Sequence, residues 1–219
     1  MYVSIGSLSN NSDDAAEADR ARIFEFNPDG SGQKVYAWGI RNAVGIAVRP
    51  GSDELWMSSN ERDELGDNLV PDYISHVTPG GFYGWPWFYL GNHQDPRHKG
   101  KHPEFASQVL VPDVLVQAHS ATLNLCFYDG KQFPDEYHGD IFAAFHGSWN
   151  RTRRTGYKIV RVPLDHGKAR GEYEDFVTGF VTPEGNVWGR PVGVTVAKDG
   201  SLLLSEDAHG TIWRVSVAR

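Results

Sequence analysis

The chain has 219 residues, enough to bury a sizeable core in one or two domains, and 21 Lys plus Arg against 28 Asp plus Glu give it a formal net charge of -7. That balance argues against a nucleic-acid partner, because no broad basic surface exists to neutralise phosphates; the densest basic cluster, Arg151 to Arg154, reads as a solvated loop. A single cysteine excludes an intrachain disulfide, no apolar run reaches the roughly 20 residues of a membrane span, and the 24 glycines and 12 prolines point to a turn-rich all-β protein.

The N-terminus, MYVSIGSLSNN, has neither a basic n-region nor a long apolar stretch, so no signal peptide is read there. Met1 to Ser7 alternates as a strand does, and the polar, acidic stretch from Asn10 to Glu17 is a loop. Arg22-Ile23-Phe24-Glu25-Phe26 alternates again before the turn signal Asn27-Pro28-Asp29-Gly30, and Lys34 to Trp38 is a further strand. Arg41-Asn42 then leads into Val44-Gly45-Ile46-Ala47-Val48, a Pro-Gly-Ser-Asp turn and Leu55-Trp56-Met57, a predicted hairpin. An acidic loop from Asn60 to Asn68 follows, then the strand Tyr73 to Val77 and the aromatic cluster Phe82 to Tyr89, expected to pack between structural units. A polar, His-rich irregular insertion is read at about residues 91–118.

Beyond it, Thr122 to Leu125, Ile141 to Phe145, Tyr157 to Val162 and an outer strand from Tyr173 to Phe180 form one unit. Cys126 lies inside an apolar run and reads as a buried core residue, not a reactive thiol. The last unit repeats the first hairpin: Arg190-Pro191-Val192-Gly193-Val194 aligns on Asn42 to Ile46, with Leu202-Leu203-Leu204-Ser205 after the turn. Units of four strands recurring at roughly 50–85 residues predict a β-propeller. Only about three and a half to four blades can be counted against the ~4–8 of a closed ring, so an incomplete propeller in a single domain over residues 1–219 is expected.

Several residues are candidates for chemistry. Arg41 and Asn42 stand where the chain enters an apolar strand. They either hydrogen-bond neighbouring loops or present a guanidinium to an anionic or carbonyl oxygen at the propeller axis; Arg190, the equivalent by repeat, favours the second reading. The acidic loop around Asp63 and Glu64 has the oxygen ligands calcium takes, although acidic loops are as a rule simply solvated. His93, His98, His102, His119 and His146 show no zinc-site spacing, and no GxSxG, Walker or dinucleotide-binding motif is present.

Four ordered motifs, Gly39-Ile40-Arg41-Asn42-Ala43-Val44-Gly45, Gly80-Gly81-Phe82-Tyr83-Gly84-Trp85-Pro86, His146-Gly147-Ser148-Trp149-Asn150-Arg151 and Gly189-Arg190-Pro191-Val192-Gly193, resemble the soluble quinoprotein sugar dehydrogenases, in particular the sorbosone dehydrogenase-like branch. The resemblance implies a six-bladed propeller that holds pyrroloquinoline quinone (PQQ) and calcium over its mouth and oxidises an aldose or sorbosone-like sugar by hydride transfer. By motif, Arg41 and Asn42 would contact the quinone carbonyls and Arg190 a carboxylate. His119, His146, Asn150 and Arg151 would be further cofactor contacts, and backbone carbonyls around Asp63 and Glu64 would hold calcium. The family's general-base histidine would precede Met1, so no catalytic residue is assigned and the chain alone is expected to be weakly active or inactive. The same resemblance implies a periplasmic or secreted protein, and the exposed faces of an open ring imply a homo-oligomer, a dimer whose partial rings close on each other. Two alternatives stay open: a non-catalytic binding or assembly module, and a calcium-dependent lactonase-type propeller with carboxylates, not arginines, at the axis.

Overall fold

The computed structural model describes residues 1–218. Its main strands form four antiparallel sheets taken up in chain order. The first is β1 (Tyr2–Ile5), β2 (Arg22–Glu25) and β3 (Lys34–Trp38). The second begins with β4 (Asn42–Val48), β5 (Leu55–Asn60) and β6 (Asp72–His76). A small hairpin follows, β7 (Phe88–Tyr89) with β8 (His93–Gln94), and two short 3-10 turns lead on to β9 (Val114–Val116). Read from sequence with the irregular stretch, β9 pairs with β6 as the outer strand of the second sheet.

The third sheet runs β10 (Thr122–Phe127), β11 (Ile141–Phe145) and β12 (Lys158–Val162). After a surface hairpin of β13 (Leu164–Asp165) and β14 (Lys168–Ala169), it closes with β15 (Glu174–Val177). The fourth is β16 (Pro191–Val196), β17 (Leu202–Glu206) and β18 (Thr211–Val215). The architecture is therefore an open β-propeller, two four-stranded blades flanked by two three-stranded ones. Among the described residues, no helix is long and apolar enough to cross a membrane.

Why β11 reads Ile-Phe-Ala-Ala-Phe, with no polar residue, follows from its place. Successive side chains of a strand point to opposite faces, and here both faces are covered. Ile141, Ala143 and Phe145 pack with Trp56, Ile74, Val114 and Val116 of the second sheet. Phe142 and Ala144 turn the other way, onto Val194, Leu202 and Leu204 of the fourth. β5 divides likewise: Leu55 and Met57 join Ile23 and Ala37 of the first sheet, while Trp56 faces the third. Each large side chain so buried contributes about 1.5–3 kcal/mol. The small, fully buried alanines at 143 and 144 let the sheets approach closely.

The end sheets lack a neighbour on one side, and their apolar residues remain partly in solvent. Ile212 is 72% exposed and Trp213 42%, and at the other end Val3 and Ile5 are 37% and 36% exposed. Cys126 is partly buried, and burial pushes its thiol up to about 12, as an inert core cysteine requires.

The inner strands β4, β10 and β16 lie side by side, and each breaks register once near its start. Gly45 sits at the break in β4. A Cβ there would come within 2.5 Å of the Leu123 carbonyl oxygen of β10, so only glycine permits this approach. On the other side, Asn124 of β10 accepts a hydrogen bond from the Val194 amide of β16 at 2.9 Å. The shared bulge repeats blade geometry where the chain enters from the rim.

Asp72, at the start of β6, joins two blades beneath that rim. Its carboxylate accepts from the Glu61 amide at 2.8 Å and from the Ala121 amide at 2.7 Å. Complete burial pushes its pKa up to about 7, against the pull of both N–H donors. An acid whose folded pKa is raised stabilises the fold fully below its unfolded pKa, and that contribution fades as pH rises through about 7. Thermal midpoints should therefore fall between roughly pH 4 and pH 7, by about 2–4 °C for each kcal/mol lost, and Asp72→Asn should flatten that slope. A variant that keeps the wild-type slope would show that Asp72 is ionised throughout.

Candidate functional site

Antiparallel pairing decides which loops share an edge. Asn42 is paired with Asn60, Thr122 with Phe145 and Pro191 with Glu206. The starts of the inner strands and the ends of the second strands therefore lie at one rim. Arg41, His119 and Arg190 precede inner strands, whereas Asp63, His146, Asn150 and Arg151 follow second strands. All are on this rim, but they divide into two clusters.

The first cluster is centred on Asp63. Its Oδ1 accepts from Asn150 Nδ2 at 2.7 Å and lies 3.2 Å from His119 Nδ1; its Oδ2 is 4.0 Å from Arg41 Nη2. Three side chains from the second and third blades thus reach one carboxylate. Arg41 also donates through Nε to the Asn10 carbonyl (3.2 Å) and through Nη1 to the Glu61 carbonyl (3.0 Å). His119 is 5% exposed at its side chain, and its Nε2 faces the Gly66 carbonyl at 3.0 Å, so both ring nitrogens look at oxygen acceptors. Next to this hub the loops of the second and third blades are clasped. Arg151 Nη2 donates to Asn68 at 2.9 Å, and Thr152, through its side chain first and then through its amide at 3.2 Å, holds the Asp67 carboxyl below its usual range. A cleft of about 320 Å³ opens here, bordered by Asp63, Asp67, His119, Asn150 and Trp149. Trp149 is 78% exposed, an indole left in water at its edge.

The second cluster holds Arg190 and His146. Arg190 donates to the carbonyls of Gly147 (3.0 Å) and His146 (3.4 Å) and lies over the Tyr157 ring at 5.8 Å. His146 Nε2 meets the Asp207 carboxylate at 2.9 Å. Arg190 and Arg41 share the rim, but each guanidinium is already engaged with loop carbonyls. Asn42 turns toward Gly6, where a Cβ would collide with its Oδ1. Glu64 adopts a left-handed φ of 72° and sends its side chain outward, 77% exposed, toward Arg97.

Asn10 is a participant that sequence reasoning passed over as loop. Its carbonyl accepts from Arg41 and, at 3.0 Å, from Trp85 Nε1, while its Oδ1 accepts from the Asp63 amide at 2.8 Å. No local pattern marks such a residue, because all its partners are more than 30 positions away. Arg62 was missed as well, because three of its four partners lie 24 or more positions along the chain. Its guanidinium is fully buried between Glu61 (3.0 Å) and Asp95 (3.3 Å) and donates to the carbonyls of Pro86 (2.7 Å) and Phe88 (2.8 Å). Asp95 in turn holds Arg97, which donates to the Asp63 carbonyl at 3.1 Å.

Chemically, the rim offers cationic and amide donors around an oxygen-rich loop. Arg151 Nε is buried and has no partner among the described residues. Among the described residues, no three His, Cys, Asp or Glu side chains converge as a ready metal cage, so a cation here would draw on backbone carbonyls as well as on Asp63 or Asp67.

Comparison with known proteins places this geometry. An uncharacterized protein of Borreliella burgdorferi is 35% identical over 198 residues, which are 89% of this chain and 52% of that protein. A pyrroloquinoline quinone-dependent pyranose dehydrogenase of Coprinopsis cinerea is 28% identical over 125 residues, 49% of this chain and 16% of its own length. Among solved structures, the calcium structure of a Trichoderma reesei enzyme of carbohydrate-active family AA12 superposes with a TM-score of 0.81 at 20% identity, covering 99% of this chain and 65% of that one. The fold is thus that of the PQQ-dependent sugar dehydrogenases, while the chain spans about half the length of the Borreliella protein and less of the fungal one. The TrAA12-like family model matches residues 88–218, more than half of the sequence and the stretch that carries His119, Asn150 and Arg190, and the chain belongs to that family.

Proposed function

We propose that this chain provides cofactor-holding blades of a PQQ- and calcium-dependent sugar dehydrogenase acting on an aldose or sorbosone-like sugar. The observation that carries this reading is the convergence of Arg41, from the entry to the second blade, and of His119 and Asn150, from the third, on Asp63 beside an open cleft. A flat, polyanionic quinone needs donors that do not lose their charge, and guanidinium and amide groups meet that need. Arg41 and Asn150 would take its oxygens, and the exposed Trp149 indole offers a flat apolar face. Oxygens of the 63–67 loop would hold calcium, the cation named for the Trichoderma structure. When bound, the quinone supplies a two-electron acceptor polarised by the cation.

The protein's own part is positioning. His119 and Asn150 orient Asp63, and Asp72 holds the chain on either side of the cleft. No residue of this chain is assigned as the general base. A second reading, a non-catalytic module, has its own observation: Arg41 and Arg190 already satisfy loop carbonyls and would then be structural. The lactonase-type alternative needs several converging carboxylates, for which the described residues offer no group of three.

Titration with PQQ and calcium, followed by quinone absorbance, separates these readings. Wild-type protein should show saturable binding, and Arg41→Ala and Asn150→Ala should each weaken it about tenfold or more, since a hydrogen bond to a charged group is worth about 1.5–3 kcal/mol. Folded variants that bind as wild type, or no binding at all, would leave the module reading.

We further infer that a second copy covers the open ends of the propeller. The support is the exposed Ile212 and Trp213 on an unpaired edge strand and the exposed Val3 and Ile5 at the opposite end. Sedimentation at micromolar concentration should give a dimer, and Trp213→Glu should dissociate it. A wild-type monomer would count against this assembly.

A further inference from the structure

The loop at residues 10–14 separates two clefts. One is the Asp63 cleft; the other, of about 140 Å³, lies on the far side and is lined by Trp38, Trp85 and Trp87 together with charged residues of the 13–22 segment. The three indoles are held in place by partners already present. Trp38 stacks on Phe82 with ring centroids 3.9 Å apart. Trp85 donates to the Asn10 carbonyl at 3.0 Å, and Trp87 donates to Asp13 at 3.3 Å with its ring 4.1 Å from that of His102. A wall fixed in advance loses little entropy when a ligand settles on it.

The charges beside the indoles have mixed sign. Glu17 is engaged with the amides of Leu8 and Ser9, Asp13 with Lys101, and Arg20 with the Gly6 carbonyl. Two groups remain available. The Asp14 side chain makes no hydrogen bond among the described residues, and Arg22 meets only Asp19 at 3.3 Å, a residue 90% exposed. Such a surface pair is worth about 0–1 kcal/mol and gives way readily.

This combination selects a ligand class. An organic cation would gain from the indoles but would meet Arg20 and Arg22. An anion would meet Asp13, Asp14 and Glu17. A neutral polyol avoids both conflicts: its hydroxyls donate to Asp14 and accept from Arg22, and its C–H face lies on tryptophan. The cleft is open on one side, so a six-membered ring can lay one face in it while its remaining hydroxyls stay in water. We infer that this cleft is a saccharide-binding subsite, taking one neutral pyranose ring and distinct from the Asp63 cleft. The inference does not depend on the cofactor reading above.

Its test is binding to the protein without PQQ or calcium, by saturation-transfer NMR and calorimetry, with D-glucose, cellobiose, choline and D-glucuronate as probes. Glucose or cellobiose should bind in the millimolar range, with choline and glucuronate at least tenfold weaker. Trp87→Ala and Asp14→Ala should each weaken saccharide binding about tenfold, and His119→Ala should leave it unchanged. Asp14 is exposed, so its variant tests the cleft even if Trp87→Ala fails to fold. The inference is overturned if neither sugar binds, if choline binds better than the sugars, or if His119→Ala abolishes binding that Asp14→Ala retains.

Discussion

A fully buried guanidinium governs how the site is held. Arg62 is tolerated in the interior only because its hydrogen-bonding groups have acceptors: two carboxylates, Glu61 and Asp95, and the carbonyls of Pro86 and Phe88. Removing one partner of such a group costs about 3–5 kcal/mol, because an uncompensated charge is left in low dielectric. The guanidinium therefore ties the acidic loop of the second blade to the aromatic segment and the first 3-10 turn after it. Asp95 extends the tie to Arg97, and Arg97 returns to the Asp63 backbone. Asp63 sits one residue beyond Arg62, so the electrostatic constraint on one fixes the other.

The second level of support is the stacking of sheets. β11 is buried on both faces, and its alternation hands one row of side chains to the second blade and the other row to the fourth. Because the sheets are locked face to face, their rims are locked too, and groups separated widely in sequence, such as Asp63 and Asn150, meet at 2.7 Å. Asp72 acts at the same junction from below, where its single carboxylate takes one amide from the blade-two loop and one from the turn that follows His119. The two clefts of this rim differ in what surrounds them: the Asp63 cleft gathers donors around a carboxylate, whereas the tryptophan cleft sets indoles against charges of both signs.

Much of the fold is legible in the sequence. The repeated phrase Arg/Asn–X–Val–Gly marked equivalent inner strands, and the structure puts a bulge in each, with Gly45 and Gly193 at corresponding positions. The outer strand read at Tyr173 to Phe180 is present as β15. β9, only three residues long, was absorbed into its irregular surroundings because a Val-Leu-Val run carries too little periodicity to stand out. At the site, the motif residues do lie on one rim. Their division into an Asp63 cluster and an Arg190 cluster was not readable, since repeat equivalence places a residue in a blade without saying which neighbour its side chain reaches.

Local chemistry therefore determined the blades: two-residue alternation, turn residues and a repeated strand phrase act over a few positions and are written consecutively in the chain. The tertiary structure alone decided the partners. Asn10 meets Asp63, Arg62 meets Asp95, and Trp38, Trp85 and Trp87 border one cleft because the sheets stack at fixed spacing and a buried charge must find its counter-charge wherever the stacking puts it. Such pairings depend on three-dimensional distance and desolvation, and neither is encoded by proximity along the sequence.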